Sequence, residues 1–224
     1  MKINLLLILL LTSFSAIAAP AGPLPSQSPL PANAKVMSTI PEKDIKIGTW
    51  VEYKVIDIKN KKITNLKFAF VGREDAGRKT WVEITMRNGS KTTYIKMLYK
   101  GKPGDKMGEA EKIIVKFGNL QAMELPAMSK PETIVPMLHR KPIKKPVLVG
   151  KTDVRTPAGL FPKAAKVKGI DPDGNIIEVY HHPSVKMWGM LKFNDGRVDM
   201  ELIGQGGNAR SRITGKPAPF MMPR

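Results

Sequence analysis

A few clusters of side chains are of a type and spacing that could do chemistry. His181 and His182 are adjacent and Asp171 and Asp173 lie upstream of them, which raises a metal site. Neighbouring residues on a strand point to opposite faces, so the two imidazoles are not expected to share an ion. The remaining histidine, His139, falls in a proline-rich stretch. A calcium loop opened at Asp171 would need a glutamate at its twelfth position, where the chain has His182. Asp171-Pro172-Asp173-Gly174 is therefore read as a turn. Glu52 and Glu83 could meet across strands as a carboxylate pair, but pairing with neighbouring lysines on a solvated face is the simpler expectation. No Gly-x-Ser-x-Gly elbow occurs. With no cysteine, thiol nucleophiles, thiolate metal sites and disulfides are excluded. Gly204-Gln205-Gly206-Gly207 follows a strand pattern, but no helix pattern follows it, so it is no dinucleotide site. Asn88-Gly89-Ser90 fits a glycosylation sequon, and Asn-Gly explains itself as a hairpin turn. The expectation is a non-enzymatic protein with no cofactor and no metal; hydrolase is the one catalytic class left open.

Binding chemistry is better represented. The 224 residues include 37 Lys and Arg against 19 Asp and Glu, a net charge of +18. Lys54, Lys67, Lys96, Lys112 and Lys116 fall at outward positions of alternating segments and are the candidates for an anionic surface. The plainer reading is a basic soluble protein whose edge lysines discourage aggregation. Nucleic acid is not expected, because aromatic residues are not interleaved with the basic clusters along the chain. The opposite, inward positions carry Tyr53, Phe68, Phe70, Ile84, Met86, Met97, Phe117, Met190 and Met200. In a chain with 13 methionines these could line a site for varied apolar ligands; taken singly, each could equally be ordinary core.

Positioning these groups requires strands. Alternation of period two marks residues 49–57, 64–72, 80–86, 91–99, 112–117, 146–154, 164–170, 175–180, 187–194 and 197–204. Asn88-Gly89, Asp173-Gly174 and Asp195-Gly196 supply tight turns. Residues 126–146, broken by five prolines, are read as a lid or as a plain crossover. With one apolar face per strand and little helix to cover it, the sheet must curl on itself. The fold class is mainly β: a curled antiparallel sheet, a half-barrel or open barrel of about ten strands. An outer-membrane barrel would want longer strands and aromatic girdles.

The first eighteen residues, with Lys2, an apolar run from Leu5 to Leu11 and Ala16-Ile17-Ala18, read as a secretory signal peptide. Residues 19–41 are a Pro-rich arm, 42–214 the folded domain and 215–224 a Pro-rich basic tail. Without a cysteine to lipidate, the expectation is a soluble protein of the periplasm.

Several stretches in this order resemble a known group. Gly48-Thr49-Trp50-Val51-Glu52-Tyr53 is similar to the first strand of certain uncharacterised exported bacterial proteins. Thr156-Pro157-Ala158-Gly159-Leu160-Phe161 looks like their turn between two strands. Val179 to Val185, Trp188 to Lys192 and Met200 to Gly204 complete the likeness, which spans residues 46–208. Together they resemble the half-barrel superfamily of the lipoprotein carriers LolA and LolB and the mycobacterial lipid-carrier lipoproteins. The resemblance implies a bent antiparallel sheet whose groove takes acyl chains. The expected function is thus binding of a lipid or lipid-modified partner, such as a lipoprotein, in an apolar concavity. The alternative is a filled core with a basic outside that binds anionic membrane surfaces, envelope polymers, lipopolysaccharide or an acidic protein.

Overall fold

The computed structural model describes residues 45–102, 110–126, 144–171 and 173–219. The chain divides into two units, Met1–Pro31 and Ala32–Arg224, and every described residue belongs to the second. The segments read as signal peptide and Pro-rich arm lie outside the described residues, as do His139 and most of the stretch read as a lid.

Each segment read from alternation contains a strand, with shifts at some ends. The elements are β1 (Trp50–Asp57), β2 (Ile63–Glu74), β3 (Lys79–Asn88), β4 (Lys91–Lys100), β5 (Lys112–Phe117) and β6 (Met123–Glu124). They continue with β7 (Lys144–Thr156), β8 (Gly159–Ile170), β9 (Ile176–His181), β10 (Met190–Asn194), β11 (Val198–Gly206) and β12 (Ala218–Pro219). A 3₁₀ turn at Asp75–Gly77 is the one helical element among the described residues. The twelve strands form a single sheet in the order β12-β6-β5-β4-β3-β2-β1-β11-β10-β9-β8-β7, antiparallel throughout except for the β12–β6 pair. Two meanders, β1 to β6 and β7 to β11, are thus joined along the β1–β11 seam. The sheet is open, with β12 and β7 at its edges. Its second half curls strongly: β7 and β11, four places apart, approach within 8 Å between Cα atoms.

The turns follow local chemistry with one shift. Asn88 pairs with Lys91, so Gly89-Ser90 rather than Asn88-Gly89 occupies the two loop positions. Gly89 has φ +56 there, a left-handed conformation that glycine adopts without strain. Asp195 Oδ1 accepts the backbone N–H of Arg197 and of Val198 at 3.0 and 2.7 Å, closing the β10–β11 turn. Thr156 Oγ1 accepts the N–H of Ala158 in the β7–β8 turn.

The concave face carries the core. Val51, Tyr53 and Val55 of β1 lie in one buried cluster with Leu66, Phe68 and Phe70 of β2, Ile84 of β3 and Leu202 of β11. The connection from β9 to β10 belongs to it too. Residues 187–189, read as the start of a strand, instead lie in this connection, because β10 begins only at Met190. Val185 and Met187 are 1% and 2% exposed in that core, and the Trp188 ring meets Phe68 edge-on at 4.8 Å. The connection therefore plugs the concavity.

The convex face is covered in one place. Trp81, Leu98 and Ile114, at outward positions of β3, β4 and β5, form a second buried cluster with Ala122 and Ile213. Ile213 comes from the chain after β11, residues 207–217, which crosses this face as a strap. Ala209 N–H donates to Gly48 O at one end, and Ala218 N–H donates to Ala122 O at the other. Ala218 and Pro219, within the stretch read as a tail, thereby extend the sheet as β12.

Candidate functional site

The apolar residues expected to line a ligand site are packed against one another. Tyr53, Phe68, Phe70, Ile84 and Met97 are all buried in the main core, and Met86 and Met190 pack against it partly buried. Tyr53 and Ile84 have no accessible surface at all. A water-sized void beside them would give them some, so the described part of the concavity is filled at these positions. Tyr53 donates its hydroxyl to Met190 O at 3.1 Å, and burial holds that phenol well above the ordinary tyrosine range. Phe117 shares the parity of the core residues Ile113 and Val115 but, at the end of β5, is 40% exposed.

The outward lysines are organised by aromatic rings. Lys67 Nζ lies 3.9 Å from the centre of the Trp50 ring and Lys96 Nζ 4.8 Å from that of Trp81. Lys116 Nζ lies 6.0 Å from the Tyr94 ring centre. Lys112 pairs with Glu124 at 3.4 Å, and Lys54 is the partner of Asn65 and Glu201 in register. The premise that aromatics are not interleaved with basic residues is therefore corrected in space. Register across β1 to β5 brings together what the linear chain separates, and each ring face attracts an ammonium.

Beside this array lies a groove of about 550 Å³, between the outer face of β1 to β4 and the strap. Its walls include Trp50, Lys67, Thr85, Arg87 and Tyr94 from the sheet, and Arg210 and Arg212 from the strap. Trp50 sits against a glycine strip. A Cβ on Gly206 would lie 2.7 Å from its Nε1, and one on Gly204 would lie 3.3 Å from its ring carbons. The indole N–H donates to Gly207 O at 3.2 Å. The glycine run with no visible purpose in sequence is thus the seat of Trp50.

Glu83 fixes the strap. It is 3% exposed and accepts the Ser211 hydroxyl at 2.6 Å and the backbone N–H groups of Arg212 and Ile213 at 2.9 and 3.4 Å. Glu52 pairs instead with Arg87 at 3.1 Å. The two carboxylates thus have separate partners, and in register Glu52 faces Lys67 while Glu83 faces Ala69 and Lys96. Burial holds Lys67 below the ordinary lysine range, with Arg87 and Arg212 adding to it against the opposite pull of Glu52 and Glu83.

The remaining motifs have local roles. Asp171 Oδ1 accepts the backbone N–H of Asp173 and Asn175, and Oδ2 accepts the Asn175 side-chain amide. Burial pulls its carboxyl up, but these hydrogen bonds and nearby Arg197 hold it below the ordinary carboxylate range. Asp171 is thus a turn residue. His182 Nδ1 lies 2.7 Å from Ser184 Oγ and accepts the Ser184 backbone N–H, capping the connection that plugs the core. His181 is pulled below the ordinary histidine range, first by burial and then by His182. A second hollow of about 500 Å³ on β9 to β11 includes Glu178, Tyr180 and Lys192. There Glu178 pairs with Lys166 and Lys168, and Lys192 with Glu201, while Asp199 also lines the hollow.

No family model matches this chain, and no curated protein matches it. Among the solved structures that match it are two that resemble it weakly. One is a candidate lipoprotein from Parabacteroides distasonis, 14% identical, covering 72% of this chain and 96% of its own, with TM-score 0.35. The other is a candidate exported protein with YmcC-like fold from Bacteroides fragilis, 10% identical, with the same two coverages and TM-score 0.33. No helix among the described residues is long and apolar enough to cross a membrane.

Proposed function

We propose that this is an exported, non-enzymatic binding protein of the periplasm that holds an acidic polysaccharide on its basic outer face. The observation that carries the reading is the array of Lys67, Lys96 and Lys116, each laid over an aromatic ring on neighbouring strands beside a cation-lined groove. An ammonium seated on a ring loses less freedom on meeting an anion than one on a free stem. A lipid-carrier role of the LolA or LolB kind asks for an open acyl groove. The side chains that would line one are occupied by each other and by Val185, Met187 and Trp188.

Heparin serves as the test polymer. Its affinity is expected to fall steeply between 50 and 500 mM salt, as screening shortens to a few ångströms. Replacing Lys67, Lys96 and Lys116 together by Gln should weaken it at least tenfold. In parallel, protein purified from the envelope is weighed by native mass spectrometry. A clean apo mass supports the filled core, whereas a stoichiometric acyl species with salt-insensitive heparin binding would overturn this reading in favour of the concavity.

A further inference from the structure

The groove under the strap differs from the rest of the basic face in its charge balance. Lys67, Arg87, Arg210 and Arg212 meet there, and the acids beside them are Glu52 and Glu83. Glu52 is engaged by Arg87, and both oxygens of Glu83 are taken by donors of the strap itself. No carboxylate among the described residues forms an ion pair with Arg210 or Arg212, and both are exposed. The cluster is therefore left with two positive charges more than its acids neutralise. The second hollow provides the contrast, since its lining carries Glu178 and Asp199 against the single cation Lys192.

The groove is also built. Its floor is the sheet, Trp50 is wedged on Gly204 and Gly206, and Lys67 lies over the indole. Its far wall is held by the buried Glu83 through Ser211, Arg212 and Ile213. Its volume falls within the range of small-molecule sites. Guanidinium forks suit anions that offer two adjacent oxygens, as a phosphate does, and Thr85 and Tyr94 add hydroxyls at the wall.

We infer that this groove is a discrete site for a dianionic phosphate monoester carried on a sugar. The inference rests on the basic-face reading above and deepens it: the face attracts the polymer, and the groove reads one phosphorylated unit of it. A phosphate monoester carries nearly two charges at neutral pH, with its second ionisation near pH 6. A sulfate ester of the same shape carries one. The excess of two positive charges in the groove distinguishes between them. Crowding by Arg87 and Arg212 is part of what holds Lys67 below its ordinary range, and a bound dianion relieves it.

The test is calorimetric titration of the purified chain with glucose 6-phosphate, glucose 6-sulfate and glucose, at pH 7.5 and pH 5. One site is expected for the phosphate at pH 7.5, at least tenfold tighter than for the sulfate, with the gap closing at pH 5 and glucose silent. Arg210→Ala combined with Arg212→Ala should weaken the phosphate at least tenfold, while Lys151→Ala, exposed on the edge strand β7 and lining neither hollow, should leave it unchanged. Both arginines are exposed, so the thermal midpoint of the double variant should match the parent. If heparin binds but glucose 6-phosphate does not, the discrete site falls and the basic-face reading stands; if neither binds, both fall. Equal affinity for phosphate and sulfate at pH 7.5, or affinity untouched in the double arginine variant, also overturns the inference. Competition then separates a sugar source from a lipid headgroup. Displacement of glucose 6-phosphate by phosphorylated dextran supports the inference; displacement by phosphatidic acid vesicles alone overturns the sugar assignment.

Discussion

Glu83→Ala should detach the strap without unfolding the sheet. In the parent protein the Glu83 carboxylate accepts three donors from the strap, at 2.6, 2.9 and 3.4 Å. Hydrogen bonds to a charged group are worth about 1.5–3 kcal/mol each. The third is long, and the Ser211 hydroxyl keeps an alternative acceptor in Ile213 O at 2.8 Å. Removing a buried carboxylate also removes its own desolvation cost. The net loss should be about 2–4 kcal/mol. Local release limits it, because once the strap lifts, the further cost is mainly that of exposing Ile213, about 1.5–3 kcal/mol. Glu83→Gln keeps the shape and one acceptor and should lose about half as much. Urea unfolding gives the global number, and amide hydrogen exchange gives its location. The Arg212 and Ile213 amides should lose protection in the alanine variant while those of β3 and β4 keep theirs. Stability within about 0.5 kcal/mol of the parent, with Ile213 still protected, would refute the view that Glu83 holds the strap.

Other perturbations read other parts of the structure. Gly206→Ala places a methyl 2.7 Å from Trp50 Nε1 and should cost about 1–3 kcal/mol by chemical denaturation, with loss of the indole's hydrogen bond to Gly207. Ile84→Ala empties a site with no exposed surface and should cost about 2–5 kcal/mol, whereas Leu160→Ala, at a position 57% exposed, should stay within about 0.5 kcal/mol. Stability should fall with acid in two stages. His181 has a folded value below its unfolded one, so its contribution is full above about pH 6.5 and is lost as pH falls through the lower folded value. Asp171, likewise depressed, contributes above about pH 4 and loses that contribution as pH falls further. In thermal melts against pH, His181→Gln should remove the first stage and keep the second.

Much of the sheet was legible because strand formation in this chain is a local pattern. β5 begins and ends where alternation placed it, and β4 differs by a single residue. The order of the strands was not legible, since pairing Trp50 with Gly206 depends on contacts remote in sequence. Glu83 shows why the site was harder still. It stands at an outward position and reads as a solvated carboxylate, yet the strap buries it. The available signal was its neighbours: Trp81, Leu98 and Ile114 are apolar at outward positions of three consecutive strands, which a wet face would not carry. The inward residues share one face, with Phe117 at its exposed end. Alternation does not distinguish side chains that line a groove from side chains that fill one, and the plug from Val185 to Trp188 has no periodic signature.

The β1–β11 seam bears on the order in which the protein can assemble. Each meander closes by neighbouring hairpins, so both can form early and cheaply. The seam joins residues as far apart as Trp50 and Gly207, 157 positions along the chain, and its loop entropy is met only when both ends are present. β1 is the first strand among the described residues and lies in mid-sheet, so until β11 arrives it presents an unpaired edge. A chain crossing a membrane N-terminus first would hold that edge open until its last strands emerged. The interval before the seam closes is when this protein is most exposed to pairing with the wrong partner, and a binding factor that covers β1 would act on folding yield without altering the finished structure.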